Sequence, residues 1–175
     1  QTLAHGIVPS SSPQGLVSAG TMPGEPVPAG TFGHLVVPAL AVPNDQYISA
    51  YYLTFDHWYH LDSTASGGGD GTWVEYRLQS DSNWGNWSYI EPQGGYPSTL
   101  STDAPVPSGA SSPVPVFASD SHSGWVTSNF SLSSLSGIDQ ADQIQFRFVI
   151  WTHPDSTNER PGWFIDQIET INEGV

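Results

Sequence analysis

Residues 47–61 constrain the fold most. Tyr51, Leu53, Phe55, His57, Tyr59 and Leu61 fall on one parity, and Tyr52, Thr54, Asp56, Trp58 and His60 on the other. A period of two over that length is the signature of a strand with two distinct faces, and a helix cannot produce it. Shorter β-type runs follow the same grammar at 32–37, 72–79, 87–91, 124–132, 143–151 and 162–171. The cluster Gly67-Gly68-Gly69-Asp70-Gly71 is a turn signal between two of them. No segment has the apolar spacing of an amphipathic helix. Many short strands separated by turns predict an all-β, two-sheet antiparallel sandwich of jelly-roll type, occupying residues 31–175.

Two segments stand outside that pattern. Residues 1–30 are punctuated by Pro9, Pro13, Pro23, Pro26 and Pro28 and read as an extended arm with no core of its own. An arm of this kind needs a surface to lie on, either its own domain or a neighbouring copy. Residues 92–123 form a long loop rich in Pro, Ser and Gly, and such a loop in a compact domain is functional or pinned across a surface.

Charge narrows the partners. The chain has 17 acidic residues against three basic ones, Arg77, Arg147 and Arg160, for a formal charge of −14. It cannot neutralise phosphates, which argues against nucleic acid and anionic membrane surfaces. No apolar run reaches the length of a membrane span, so no membrane insertion is expected. There is no cysteine, hence no disulfide or thiolate chemistry. Seven Trp, seven Tyr and seven Phe supply a core despite the polar composition. Abundant Ser, Thr, Gly and Asn with few charges suit an extracellular or cell-surface protein. Asn86-Trp87-Ser88 and Asn129-Phe130-Ser131 match the N-glycosylation pattern, which requires Asn86 and Asn129 to face solvent if used.

Several pieces in one order resemble a known family. They are the run 52–59, Asp70-Gly71-Thr72-Trp73-Val74-Glu75, Gly94-Gly95-Tyr96-Pro97, Gly124-Trp125-Val126-Thr127, Phe146-Arg147-Phe148 and Gly162-Trp163-Phe164-Ile165-Asp166. The set is similar to the MAM-like, concanavalin-type jelly-roll modules found beside immune-inhibitor-A-type secreted metallopeptidases and in large microbial surface proteins. It covers about residues 31–172. The resemblance implies a noncatalytic module, often with a structural calcium held by carboxylates that match Asp62, Asp70 and Asp166 here. The sequence departs at Gln167, where the family commonly has a second aspartate.

The residues support part of that independently. Ca²⁺ takes six to eight hard oxygens, and glycine turns let carbonyls approach an ion. Asp166 inside an apolar strand needs a cation or a set of donors. The alternatives are an ion pair with Arg147 or hydrogen bonds from loop N–H groups. Glu75 is expected on a solvated strand face. Among the histidines, His57 and His60 point to opposite faces and cannot chelate one zinc, so His57 is expected as a hydrogen-bonded core residue. There is no His-Glu-x-x-His and no Gly-x-Ser-x-Gly. Trp125 and Trp163 are expected in the core, while Trp58, Trp84 and Trp87 are candidates for stacking on a sugar.

These readings lead to a noncatalytic structural or adhesive module that assembles with copies of itself, through its arm and into filaments, stabilised by Ca²⁺. The alternative is a carbohydrate- or cell-wall-binding accessory module of a larger secreted enzyme, with glycans as partners.

Overall fold

The computed structural model describes residues 19–21, 25–43, 48–64, 69–121, 123–158 and 160–174. They contain twelve strands and no α-helix. The strands are β1 (Ala19–Gly20), β2 (Phe32–Val36), β3 (Leu40–Ala41), β4 (Ile48–His60), β5 (Gly71–Ser80), β6 (Asn83–Trp84), β7 (Ser88–Ile90), β8 (Ser98–Thr99), β9 (Pro115–Val116), β10 (Val126–Ser131), β11 (Gln143–Trp151) and β12 (Gly162–Gly174). One large sheet runs β1-β12-β4-β10; the other runs β2-β11-β5-β6, with β3 added on β11 and β7 on β5, and β8 and β9 form a separate two-stranded ribbon. Every pairing is antiparallel, and the two sheets form the jelly-roll-like sandwich expected of the sequence.

The alternation in β4 decides how the layers meet. Tyr51, Leu53, Phe55, His57, Tyr59 and Leu61 are all buried. Across the interface β5 and β11 contribute Val74, Ile144, Phe146 and Phe148. Phe55 is the hub, edge-on to Phe148 at 5.0 Å and stacked with Phe130 at 5.6 Å. Trp163 lies in this core as expected, whereas Trp125 is only half-buried. It precedes the edge strand β10, whose neighbouring Val126 is exposed, and an edge offers cover on one side only.

The long loop is pinned. Leu100, Ala104, Val114 and Val116 bury Trp73, Val149 and Trp151 on the outer face of the larger sheet, making a second apolar cluster. Backbone bonds anchor it: Phe117 and Thr72 exchange N–H and carbonyl groups (2.9 and 3.0 Å), and so do Ser119 and Leu61. Gly71 is required at this contact, since a Cβ there would come 2.8 Å from Val116 Cβ.

The described end of the arm lies on its own domain. Ala19 and Gly20 pair with Ile165 and Phe164 of β12, and Val27 is buried in the second cluster while bridging Arg160. The Thr31 and Thr152 hydroxyls both donate to the Pro28 carbonyl at 2.7 Å. The arm's first eighteen residues lie outside the described residues.

Candidate functional site

The end of β4 and the start of β5 bring two of the three implied calcium ligands together. Asp62 and Asp70 are 1% and 2% exposed, and the Asp70 N–H donates to the Asp62 carbonyl at 2.8 Å. The cation beside them is a guanidinium: Arg160 Nε donates to Asp62 Oδ1 at 2.7 Å. Asp70 has a backbone donor instead, the His153 N–H at 2.7 Å. Burial, reinforced by the charge on Asp62, pushes the Asp70 carboxyl up to about 6 against the pull of that donor. The rim continues outward, with His153 Nε2 lying 3.2 Å from Asp103 and the Ser101 hydroxyl donating to Asp103. Of the two buried carboxylates only Asp62 is paired with an arginine, which leaves an excess of negative charge.

Asp166 is not part of this cluster. It stands opposite Asp56 on the outer face of the smaller sheet, six residues along β4 from Asp62, or about 20 Å at the rise of a strand. A bulge follows it, with Gln167 at φ 52°, and the freed Gln167 N–H donates to Asp166 Oδ1 at 2.9 Å. The ion pair with Arg147 considered from sequence does not form; a local N–H holds Asp166 instead. Its Oδ2 has no hydrogen-bond partner among the described residues, and the facing Asp56 accepts from the Thr127 hydroxyl. Tested against calcium, the described residues supply two of the implied carboxylates at one place and none from Asp166. No group of three potential metal-ligating side chains occurs among them.

Arg147 is committed elsewhere. Its Nε donates to Glu75 Oε2 at 2.8 Å, and Trp73 Nε1 donates to Glu75 Oε1 at 2.7 Å. Glu75 is 3% exposed, so the expectation of a solvated strand face is corrected: the 92–123 loop and Trp87 shelter this face. The spacing of Trp73 and Glu75, two residues apart on one strand, was a readable hint that they share a face. Nothing in the sequence pointed to Arg160, which is 98 residues from Asp62.

The tryptophans proposed for stacking do not form one surface. Arg77 lies over both Trp84 and Trp87, 4.6 Å from each ring centre, and Arg147 lies 4.7 Å from Trp87. These are cation–π distances, so both rings already carry guanidinium groups. Trp58 belongs to the other sheet, buried on its outer face against Phe164. Both sequon asparagines, Asn86 and Asn129, are exposed.

His57 is the expected core residue. It is 0% exposed, accepts from Trp163 Nε1–H on Nδ1 at 3.0 Å, and lies 2.9 Å from Ser128 Oγ through Nε2. Because the indole N–H can only donate, the imidazole proton sits on Nε2. Burial lowers its pKa to about 3, so it is neutral. His60 points the other way, with Nε2 3.1 Å from the Asp120 carbonyl. His5 and His122 lie outside the described residues.

No protein-family model matches the chain, and no curated protein sequence matches it.

One further concavity has the chemistry of a binding surface. An open groove of about 960 Å³ is lined by Tyr59, Tyr96, Ser98, Thr99, Ser119 and Asp120, among others. Asp120 braces it by accepting from the Ser63 N–H and hydroxyl at 2.9 and 2.7 Å.

Proposed function

We propose that this chain is a noncatalytic extracellular structural or adhesive module that associates with copies of itself. The observation that carries the reading is the distribution of charge. Residues 1–44 hold only one of the 17 acidic residues, Glu25, and no basic residue. That quarter of the chain supplies both the arm and the exposed edge strand β2. Two copies at −14 repel each other over most of their surface, and a neutral, partly apolar region is where they can meet. The engagement of Asp62, Glu75 and His57 in structural pairs supports a noncatalytic reading.

In this reading the arm reaches the neighbouring copy and propagates a filament by a head-to-tail contact. The segment to delete is residues 1–18, because Ala19, Gly20 and Val27 are built into the sandwich. Deletion should abolish polymers seen by electron microscopy and leave a folded β-sandwich. Polymers that persist would overturn the arm's role.

Calcium enters this reading at Asp62 and Asp70, whose excess negative charge favours a cation. The remaining oxygens would come from carbonyls and water. A rise in melting temperature on adding Ca²⁺, reversed by EGTA, tests it; an unchanged midpoint counts against it.

The groove beside Asp120 favours a second reading, a carbohydrate-binding accessory module. The Ser98, Thr99 and Ser119 hydroxyls along it suit a neutral saccharide better than the arginine-covered tryptophans do. Glycan-array binding by the unmodified chain that is lost in Ser119→Trp and kept in Trp84→Ala would support it, and no binding by the unmodified chain would dismiss it.

A further inference from the structure

Among the described residues no strand pairs with the outer edge of β2, and that edge has the features of a strand that pairs with itself. β2 follows β11 in register, with Phe32 opposite Trp151, Leu35 opposite Phe148 and Val36 opposite Arg147. Val37 N–H bonds to the Phe146 carbonyl, and Thr152 N–H bonds to the Thr31 carbonyl. In an antiparallel ladder this parity turns residues 31, 33, 35 and 37 toward β11. The backbone N–H and C=O groups of Phe32, His34 and Val36 are thus directed outward, away from the sheet. Folded proteins commonly protect such edges with charge, proline or a covering segment. Here residues 26–44 contain no charged side chain, and Phe32, Leu35 and Val36 are 62%, 41% and 41% exposed.

The side chains are also self-complementary. Gly33 and Leu35 face an apolar cavity of about 340 Å³ between the sheets, bordered by Phe148, Ile150, Trp163 and Ile165. Leu35 points toward this space yet stays partly exposed. Gly33 leaves room beside it, since a Cβ there would meet only Ile150 Cγ2, at 3.7 Å.

We propose that two copies of this chain join through antiparallel pairing of β2 with β2, on a two-fold axis through His34. This rests on the reading of the chain as self-associating and names a contact separate from the arm. Only one antiparallel register satisfies all the outward groups at once: Phe32 opposite the partner's Val36, and His34 opposite its own copy. In that register Leu35 of each copy lies over the other's Gly33 and closes the mouth of the cavity. Phe32 and Val36 form aromatic–β-branched pairs on the outer face, a favourable cross-strand combination. The contact is isologous and closes as a dimer, merging the two larger sheets into one. It removes an uncharged edge from water without bringing carboxylates together.

The absence of cysteine makes the register testable. Facing residues in a hydrogen-bonded antiparallel pair have Cα atoms about 5.5 Å apart, within the roughly 4.4–6.8 Å that a disulfide spans. The full chain carrying His34→Cys, treated with copper phenanthroline as the oxidant, should give a reducible covalent dimer. Ile171→Cys, exposed on β12, should cross-link at least about tenfold more slowly. A His34→Cys protein that stays monomeric, or links no faster than Ile171→Cys, overturns the proposal. Sedimentation of the unmodified chain should show a concentration-dependent dimer, weakened about tenfold or more by Val36→Lys with its circular dichroism unchanged. An unweakened dimer refutes the edge. Deleting residues 1–18 separates the two contacts. The His34→Cys link should survive that deletion even if polymers vanish, and loss of the link would assign dimerisation to the arm instead.

Discussion

Replacing Asp70 with Asn should stabilise the protein at neutral pH, although it removes a buried and well-ordered acid. In the fold the Asp70 carboxyl is raised from 3.8 to about 6, first by burial and then by Asp62. At about 1.4 kcal/mol per pH unit, this displacement amounts to about 3 kcal/mol. The sign follows from proton counting. Between pH 4 and 6 the folded state holds a proton that the unfolded state has released, so stability falls as pH rises through that window. Below it both states are protonated, and above it the full penalty applies. Asn cannot ionise and still offers an oxygen to the His153 N–H. Asp70→Asn should therefore gain about 2–3 kcal/mol at pH 7 in EGTA and flatten the pH dependence between 4 and 6. Urea denaturation at half-unit pH intervals measures both effects. With Ca²⁺ added the order should reverse, because an ion requires the carboxylate that the variant lacks. A variant less stable at pH 7 in EGTA, with the wild-type slope between pH 4 and 6, would refute the reasoning.

Other outcomes follow from the same geometry. His57 has the opposite sign: its pKa is lowered to about 3, so stability should be lost as pH falls from 6.5 toward 3, by about 4–5 kcal/mol. The difference in acid titration between Asp70→Asn and the same protein also carrying His57→Gln reads out this loss, and equal profiles would contradict a neutral, buried His57. Arg160→Gln strands the buried Asp62 beside a second carboxylate and should cost about 3–5 kcal/mol at pH 7, partly restored near pH 5 as Asp70 takes a proton and the repulsion between the two is relieved. Urea midpoints at the two pH values check this. Arg147→Ala, which strands a buried Glu75, should destabilise more than Glu75→Gln, which keeps an acceptor for Trp73; about 3 against about 2 kcal/mol is expected from thermal melts. Equal costs would mean that Glu75 reaches water.

The fold was legible because its signals are local. Alternation in β4 names the buried face residue by residue, and turn glycines and prolines mark where strands stop. The same parity placed His57 in the core and His60 outside it. The site was only half legible. Asp62 and Asp70 lie just past β4 and just before β5, eight positions apart, so their proximity in sequence suggests that they meet. Asp166 carries a similar chemical signal and lies elsewhere, because its neighbours are set by the β12–β4 register and the bulge at Gln167.

Sequence by itself thus determined the class of fold, the faces of its strands and a charge segregated away from the first 44 residues. Those follow from period, turn chemistry and composition, which act over a few residues or over the whole chain. Tertiary structure alone decided which cation each carboxylate meets, and which apolar edge is left without a paired strand among the described residues. Arg160 reaches Asp62, Arg147 reaches Glu75, and Arg77 lies against Trp84 and Trp87. Side-chain partners across a sheet depend on register and on loops laid over its face, and neither is encoded within a single strand.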